Sequence, residues 1–150
     1  MKVLFVCTGN TCRSPMAEAI FNNKVQGSNL KAESAGLSIL PGSIASRNSA
    51  TLVGDKLKID ISSRRAQSLM KNHLESNDII LTMTNRISDI IKKSYPQYTH
   101  KIFSLKEYVG VEGEISDPYG GTIKVYEKTY DELNEIIAIL LAKIEGDSNL

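Results

Sequence analysis

The sequence predicts an α/β fold, a parallel sheet with helices on both faces, and three observations carry that prediction. Short apolar runs rich in strand formers, at 2–6 and 78–83, read as buried central strands. Segments of helical character alternate with such runs along the chain. A long amphipathic pattern closes the sequence, as a helix does when it covers a sheet.

Taken in order, run 2–6 is the first strand and leads into a polar loop, 8–14. Ser14 is a residue type that caps helices and Pro15 suits a first helical position, so a helix is expected from Met16 to about Lys24. Residues 30–34 read as a second strand ended by Ala35-Gly36, and Pro41-Gly42 marks a turn. Helices are expected over 46–57 and 63–74. After the strand at 78–83 come a helix over 85–93, halted before Pro96, and a fourth strand over 101–105. Residues 110–121 are Gly-rich and polar, the composition of a long surface loop, and such loops are usually functional or disordered. In the last helix Tyr126, Tyr130, Leu133, Ile136, Ile137, Leu140, Leu141 and Ile144 recur every three or four residues, and residues 146–150 are expected to fray. No repeat, low-complexity tract or linker divides the chain, so 1–150 is read as one domain.

A chain of 150 residues buries roughly 70% of its unfolded surface without a metal or disulfide staple. Its 18 basic and 17 acidic residues leave a net charge of +1. That balance gives no reason to expect nucleic acid or an anionic membrane as partner, so any anion site has to be local. No stretch approaches the ~20 apolar residues of a membrane span, and the apolar run at 3–7 is too short for a signal peptide. Cysteine occurs only at 7 and 12, which fits a reducing compartment that keeps thiols for chemistry. The expectation is a cytoplasmic enzyme.

The segment Cys7-Thr8-Gly9-Asn10-Thr11-Cys12-Arg13-Ser14 is where that chemistry belongs. In an open α/β sheet, ligands bind beyond the carboxyl ends of strands. A helix start there offers unpaired N–H groups and a partial positive charge that together hold an anion. Gly9 and Asn10 tolerate left-handed backbone and let the loop curl into a nest. Cys7 opens the loop, where a nearby helix start and arginine favour the thiolate, a good nucleophile toward phosphorus. Arg13 closes it with a planar fork that grips two phosphate oxygens. Ser14 can donate its hydroxyl to the Cys7 sulfur. Cysteine, five residues, arginine and serine, after a buried strand and opening a helix, is a specific combination.

Cys7 to Pro15 resembles the signature of the low-molecular-weight protein tyrosine phosphatase family, and the similarity runs through nearly the whole chain: Ser34-Ala35-Gly36, 78–84 and Asp117-Pro118-Tyr119-Gly120 also match its segments. The resemblance implies a four-stranded parallel sheet in order 2-1-3-4, a phosphatase P-loop after strand 1, and no metal or cofactor. It implies Cys7 as nucleophile, Arg13 as phosphate grip, and Asp117 as general acid and then base. Composition alone reads Asp117-Pro118 equally well as a turn before a helix. Thr8, Gly9, Asn10, Thr11, Cys12 and Ser14 would hold the phosphate, and Tyr119 would form a pocket wall opposite residues 37–43. Cys12 would pair reversibly with Cys7 under oxidation, or is simply a small buried side chain.

Thr11 and Gly120 sharpen the resemblance. Where tyrosine phosphatases of the family usually carry a bulkier aliphatic residue, the bacterial protein arginine phosphatases carry threonine, and they share Asp-Pro-aromatic-Gly-Gly, as at 117–121. The implied activity is hydrolysis of phosphoarginine on proteins, by a monomer acting on phosphorylated protein substrates. The alternatives are a tyrosine phosphatase; an arsenate reductase, which in its thioredoxin-coupled form needs cysteines after Cys12; and a non-catalytic phosphoprotein-binding module, which would be expected to lose Cys7 or Asp117. His73 and His100 read as ordinary surface or helix-end residues. Arg64-Arg65 reads as a solvated helix start or a docking patch.

Overall fold

β1 (Lys2–Cys7) is the central strand, with Val3, Leu4, Phe5 and Val6 all shielded from solvent. A computed structural model describes residues 1–148, with the backbone alone for Ser148. β1 pairs in parallel with β2 (Lys31–Gly36) on one side and β3 (Ile79–Thr82) on the other. β4 (Ile102–Ser104) adds beyond β3, giving the parallel order β2-β1-β3-β4, as expected.

Successive side chains of a strand face opposite ways, so β1 feeds two cores. Val3, Phe5 and Cys7 pack with Met16 and Phe21 of α1 (Arg13–Lys24), Leu52 of α2 (Arg47–Leu57) and Leu133 of α6 (Ile123–Ser148). Leu4 and Val6 pack with Leu74 of α3 (Lys71–Ser76) and with Ile87 and Ile91 of α4 (Asn85–Ser94). The helices thus cover both faces. Of the apolar stripe assigned to α6, all but Leu141, which is half-buried, are buried. Among the described residues no helix is long and apolar enough to cross a membrane.

Besides shifts of a residue or two at strand ends and a 3-10 helix over Pro96–Lys101, the structure departs from the sequence reading in four places. The helix expected over 63–74 is confined to α3; residues 64–69 run extended and bond to β2 and its outgoing loop. Gly36 N–H donates to the Gln67 carbonyl at 2.8 Å, Leu69 N–H to the Gly36 carbonyl at 2.9 Å and Ala45 N–H to the Arg64 carbonyl at 2.9 Å. Partners distant in sequence therefore take the bonds a helix would have made internally. Second, α1 starts at Arg13 with Cys12 in the cap position, and Ser14 does not cap it. Third, a short helix, α5 (Leu105–Val109), precedes the long loop. Ser104 Oγ accepts from Glu107 N–H at 3.4 Å at its start, and Gly110 ends it at φ 77°. Fourth, α6 continues through Ser148, while residues 149–150 of the expected fraying end lie outside the described residues.

Candidate active site

Cys7 ends β1 opposite Gly36 in the register, and the chain passes through loop 8–12 into α1. The loop curls at Asn10, which adopts φ 56°; Gly9 keeps an ordinary backbone. The curl brings Asn10 N–H to 3.2 Å from Cys7 Sγ, and Ser14 Oγ lies 2.8 Å from the same sulfur. Ser14 is freed from capping to support Cys7. Gly36 is required by this closeness, since a Cβ there would lie 2.9 Å from the Thr8 carbonyl oxygen and 3.0 Å from Asn10 Cβ.

Arg13 is nearly buried and spans two loops. Its Nη1 donates to the Ile115 carbonyl at 3.1 Å, and Nη2 stands 3.6 Å from Asp117 Oδ2. Ile115 N–H in turn donates to the Met83 carbonyl just past β3 at 3.1 Å, so the sheet end fixes the root of the Asp117 loop. Asp117 Oδ1 accepts Tyr119 N–H at 3.1 Å, an Asx turn across Pro118.

These groups enclose a cavity of about 360 Å³. Cys7, Thr8, Gly9, Thr11, Cys12 and Arg13 form its base, Asp117 and Tyr119 one wall, and Ser38, Leu40 and Ser43 the opposite wall. The wall expected from 37–43 is thus present, with Leu40 where no aromatic was found. Asn10 and Ser14, expected among the phosphate-binding residues, do not line the cavity; they are wholly buried beneath it and bond to Cys7 and to each other.

Two residues that the sequence reading placed elsewhere belong to this site. Arg64 is half-buried and on no helix: its guanidinium reaches Asn10 Oδ1 at 3.0 Å, Ser34 Oγ at 2.7 Å and Glu18 Oε1 at 3.3 Å. Tyr126, read only as a core residue, places its hydroxyl 3.2 Å from Cys12 Sγ. Burial first, and then the contact with Cys12, push the Tyr126 hydroxyl up to about 12. Both cysteines are free thiols. His73 accepts Met70 N–H on Nδ1 at 2.9 Å, the helix-end role expected of it. Among the described residues no three His, Cys, Asp or Glu gather as a metal site.

The chain is similar over nearly its whole length to known proteins. The family described as low molecular weight phosphotyrosine protein phosphatase matches residues 2–150. A protein-arginine-phosphatase of Bacillus subtilis (strain 168) is 40% identical over 152 residues, covering 98% of this chain and 99% of that protein. A low molecular weight protein tyrosine phosphatase from T. tengcongensis superposes with TM-score 0.91 at 46% identity, covering 95% of this chain and 99% of the other. A YwlE arginine phosphatase, solved as a cysteine-to-serine mutant with a phosphorylated active-site serine, superposes with TM-score 0.91 at 38% identity over 98% of this chain and 97% of its own.

Proposed function

The chain belongs to the low molecular weight phosphotyrosine protein phosphatase family, and from that premise we propose that it hydrolyses phosphoarginine on proteins through a cysteinyl-phosphate intermediate. The observation that carries the reaction class is the placing of Cys7, Arg13 and Asp117 around one cavity. Cys7 thiolate attacks phosphorus while Arg13 and the loop N–H groups hold the phosphoryl oxygens. The P–N bond breaks, and Asp117 delivers its proton to the departing guanidine nitrogen. Asp117, now a carboxylate, takes a proton from water as the water oxygen attacks phosphorus. The P–S bond breaks, its electron pair returns to sulfur, and Ser14 stabilises that sulfur from 2.8 Å.

Phosphoarginine is favoured over phosphotyrosine by the relatives named as arginine phosphatases and by Thr11, which lines the cavity beside Cys7. A small polar side chain there admits a flat guanidinium and helps orient it. Gly120 beside the acid loop has φ 77°, so its role includes a backbone shape as well as the room it leaves. Tyr119, an exposed ring on the wall, supports phosphotyrosine as the second reading. We place the enzyme in the cytoplasm, as a single-domain monomer acting on phosphorylated proteins, with Cys12 able to form a protective disulfide with Cys7.

The test compares kcat/KM for a phosphoarginine peptide and a matched phosphotyrosine peptide, with Cys7→Ser as control and Thr11→Ile alongside. The expected result is a phosphoarginine preference of at least about tenfold that Thr11→Ile reduces or reverses. A wild-type preference for phosphotyrosine would leave the second reading standing, and activity persisting in pure Cys7→Ser would overturn the mechanism.

A further inference from the structure

Cys7 rests on a chain of hydrogen bonds whose direction can be worked out donor by donor. Asn10 Oδ1 accepts from Arg64 Nη1 at 3.0 Å and from Gln67 N–H at 2.8 Å. A guanidinium and a backbone amide are donors only, so both acceptor positions of that oxygen are taken and the amide cannot turn over. Its Nδ2 group must face inward, where it donates to Ser14 Oγ at 2.7 Å and Ser34 Oγ at 3.1 Å. Ser14 Oγ thus accepts from Asn10 and keeps its own proton for the Cys7 sulfur at 2.8 Å. Ser34 Oγ accepts from Asn10 and from Arg64 Nη2 at 2.7 Å, and gives its proton to Glu18 Oε1 at 2.8 Å. Glu18 closes the circuit by pairing with Arg64 at 3.3 Å.

We propose that Arg64, braced by Glu18, is a positioning residue for the phosphatase reaction: it fixes which way the Asn10 amide faces, and so keeps Ser14 donating to the Cys7 sulfur. Arg64 does not line the cavity and touches no reacting group. Without it Gln67 N–H is the one donor left holding Oδ1 outward, and turning the amide costs less. Turning Oδ1 inward would draw the Ser14 proton to Asn10 and take a donor from the sulfur. The sulfur needs that donor most when it carries charge, both as attacking thiolate and as the group expelled when the cysteinyl-phosphate is hydrolysed. The inference rests on the reading above only in taking Cys7 as nucleophile.

Arg64→Met keeps the unbranched stem of the side chain and removes every donor. Two rates read the result: turnover of p-nitrophenyl phosphate and of the phosphoarginine peptide, and carboxymethylation of Cys7 by iodoacetate at one fixed pH. A hydrogen bond to a charged group corresponds to a loss of about ten- to a hundredfold in kcat, with KM within about twofold. The loss should be equal for both substrates, the alkylation should slow with it, and Arg64→Lys, which restores one donor, should recover part of both. Glu18→Gln should lower both rates several-fold. A folded Arg64→Met protein with wild-type kcat and alkylation overturns the proposal, as does a change confined to KM. If Arg64→Met does not fold, Glu18→Gln decides: loss in both rates supports the proposal and no change sinks it. Failure of the phosphoarginine reading would show in the wild-type substrate ratio and leave these variant-to-wild-type ratios unaltered.

Discussion

The phosphate loop and the acid loop face each other across one cavity and are held by opposite means. In the phosphate loop Asn10 and Ser14 are wholly buried, and their hydrogen bonds run to one another, to Cys7 and to Arg64 beneath. In the acid loop the Asp117 side chain is 54% exposed and Tyr119 is 80% exposed. That loop is tied at its two ends, through Ile115 to Met83 and Arg13, Ser116 to Glu132 and Gly121 to Asn48, and Asp117 between them meets Arg13 while staying open to solvent. The difference is the one the proposed chemistry asks for. A sulfur that must carry charge benefits from donors fixed before the reaction begins. A carboxyl that gives a proton and later takes one from water has to keep access to solvent.

The sharpest way to break that comparison is to remove the exposed partner alone. Asp117→Asn should cost about 10²–10⁴-fold in kcat on the phosphoarginine peptide. On p-nitrophenyl phosphate, whose leaving group departs without a proton, the burst of p-nitrophenolate that reports formation of the cysteinyl-phosphate should be far less affected, while its hydrolysis slows for both substrates. The phosphate loop would be untouched, so Cys7 should still alkylate at the wild-type rate. Equal losses in the first, phosphoryl-transfer step on both substrates would mean that Asp117 serves the loop rather than the leaving group. Gly36→Ala tests the other side. The added methyl would meet Thr8, Asn10 and Ile39 at 3.0 Å or less, and two of those contacts belong to the phosphate loop. A loss of about 1–3 kcal/mol in urea unfolding is expected, with a fall in kcat. A variant of unchanged stability and activity would show the phosphate loop to be softer than its burial suggests.

The same contrast governs what the sequence disclosed. Cys7 and Arg13 were legible because each lies in a local pattern, a strand end and a helix start, whereas Asp117 was marked by the family resemblance, since an Asp-Pro in a Gly-rich loop reads equally well as a turn. The strands at 2–6 and 78–83 were legible from continuous apolar runs. Arg64 was not, because it acts on Asn10, 54 positions away, from a segment that pairs with β2 instead of forming the expected helix. Nothing in Arg64-Arg65 distinguishes a solvated pair from one braced guanidinium. α5 was legible and missed: Ser104, then Glu107 and Gly110 make a helix start and stop at the right spacing. Ser14 was read correctly as a donor to the Cys7 sulfur, but both it and Asn10 were also read as phosphate ligands; their burial beneath Cys7 appears only once β1, β2 and α1 are packed.

Tyr126 gives the smallest and most specific test, because it ties α6, the helix that follows the acid loop, to Cys12 in the phosphate loop. By its spacing it was one more apolar residue of α6, and its hydroxyl is what sets it apart. Losing that hydroxyl in Tyr126→Phe should cost about 1 kcal/mol near pH 8, measured by urea unfolding. The folded protein holds the group protonated to about 12, above the ordinary tyrosine value of 10.0, through burial first and Cys12 second. A value raised on folding means that the unfolded chain loses this proton first as pH climbs. The contribution is therefore complete below pH 10 and declines between 10 and 12. The advantage of wild type over Tyr126→Phe should shrink across that window, although both proteins weaken as lysines and other tyrosines titrate. A difference that stays flat from pH 8 to pH 12 would mean the hydroxyl is as well solvated in the fold as in the open chain, and the link from α6 to the phosphate loop would rest on the ring alone.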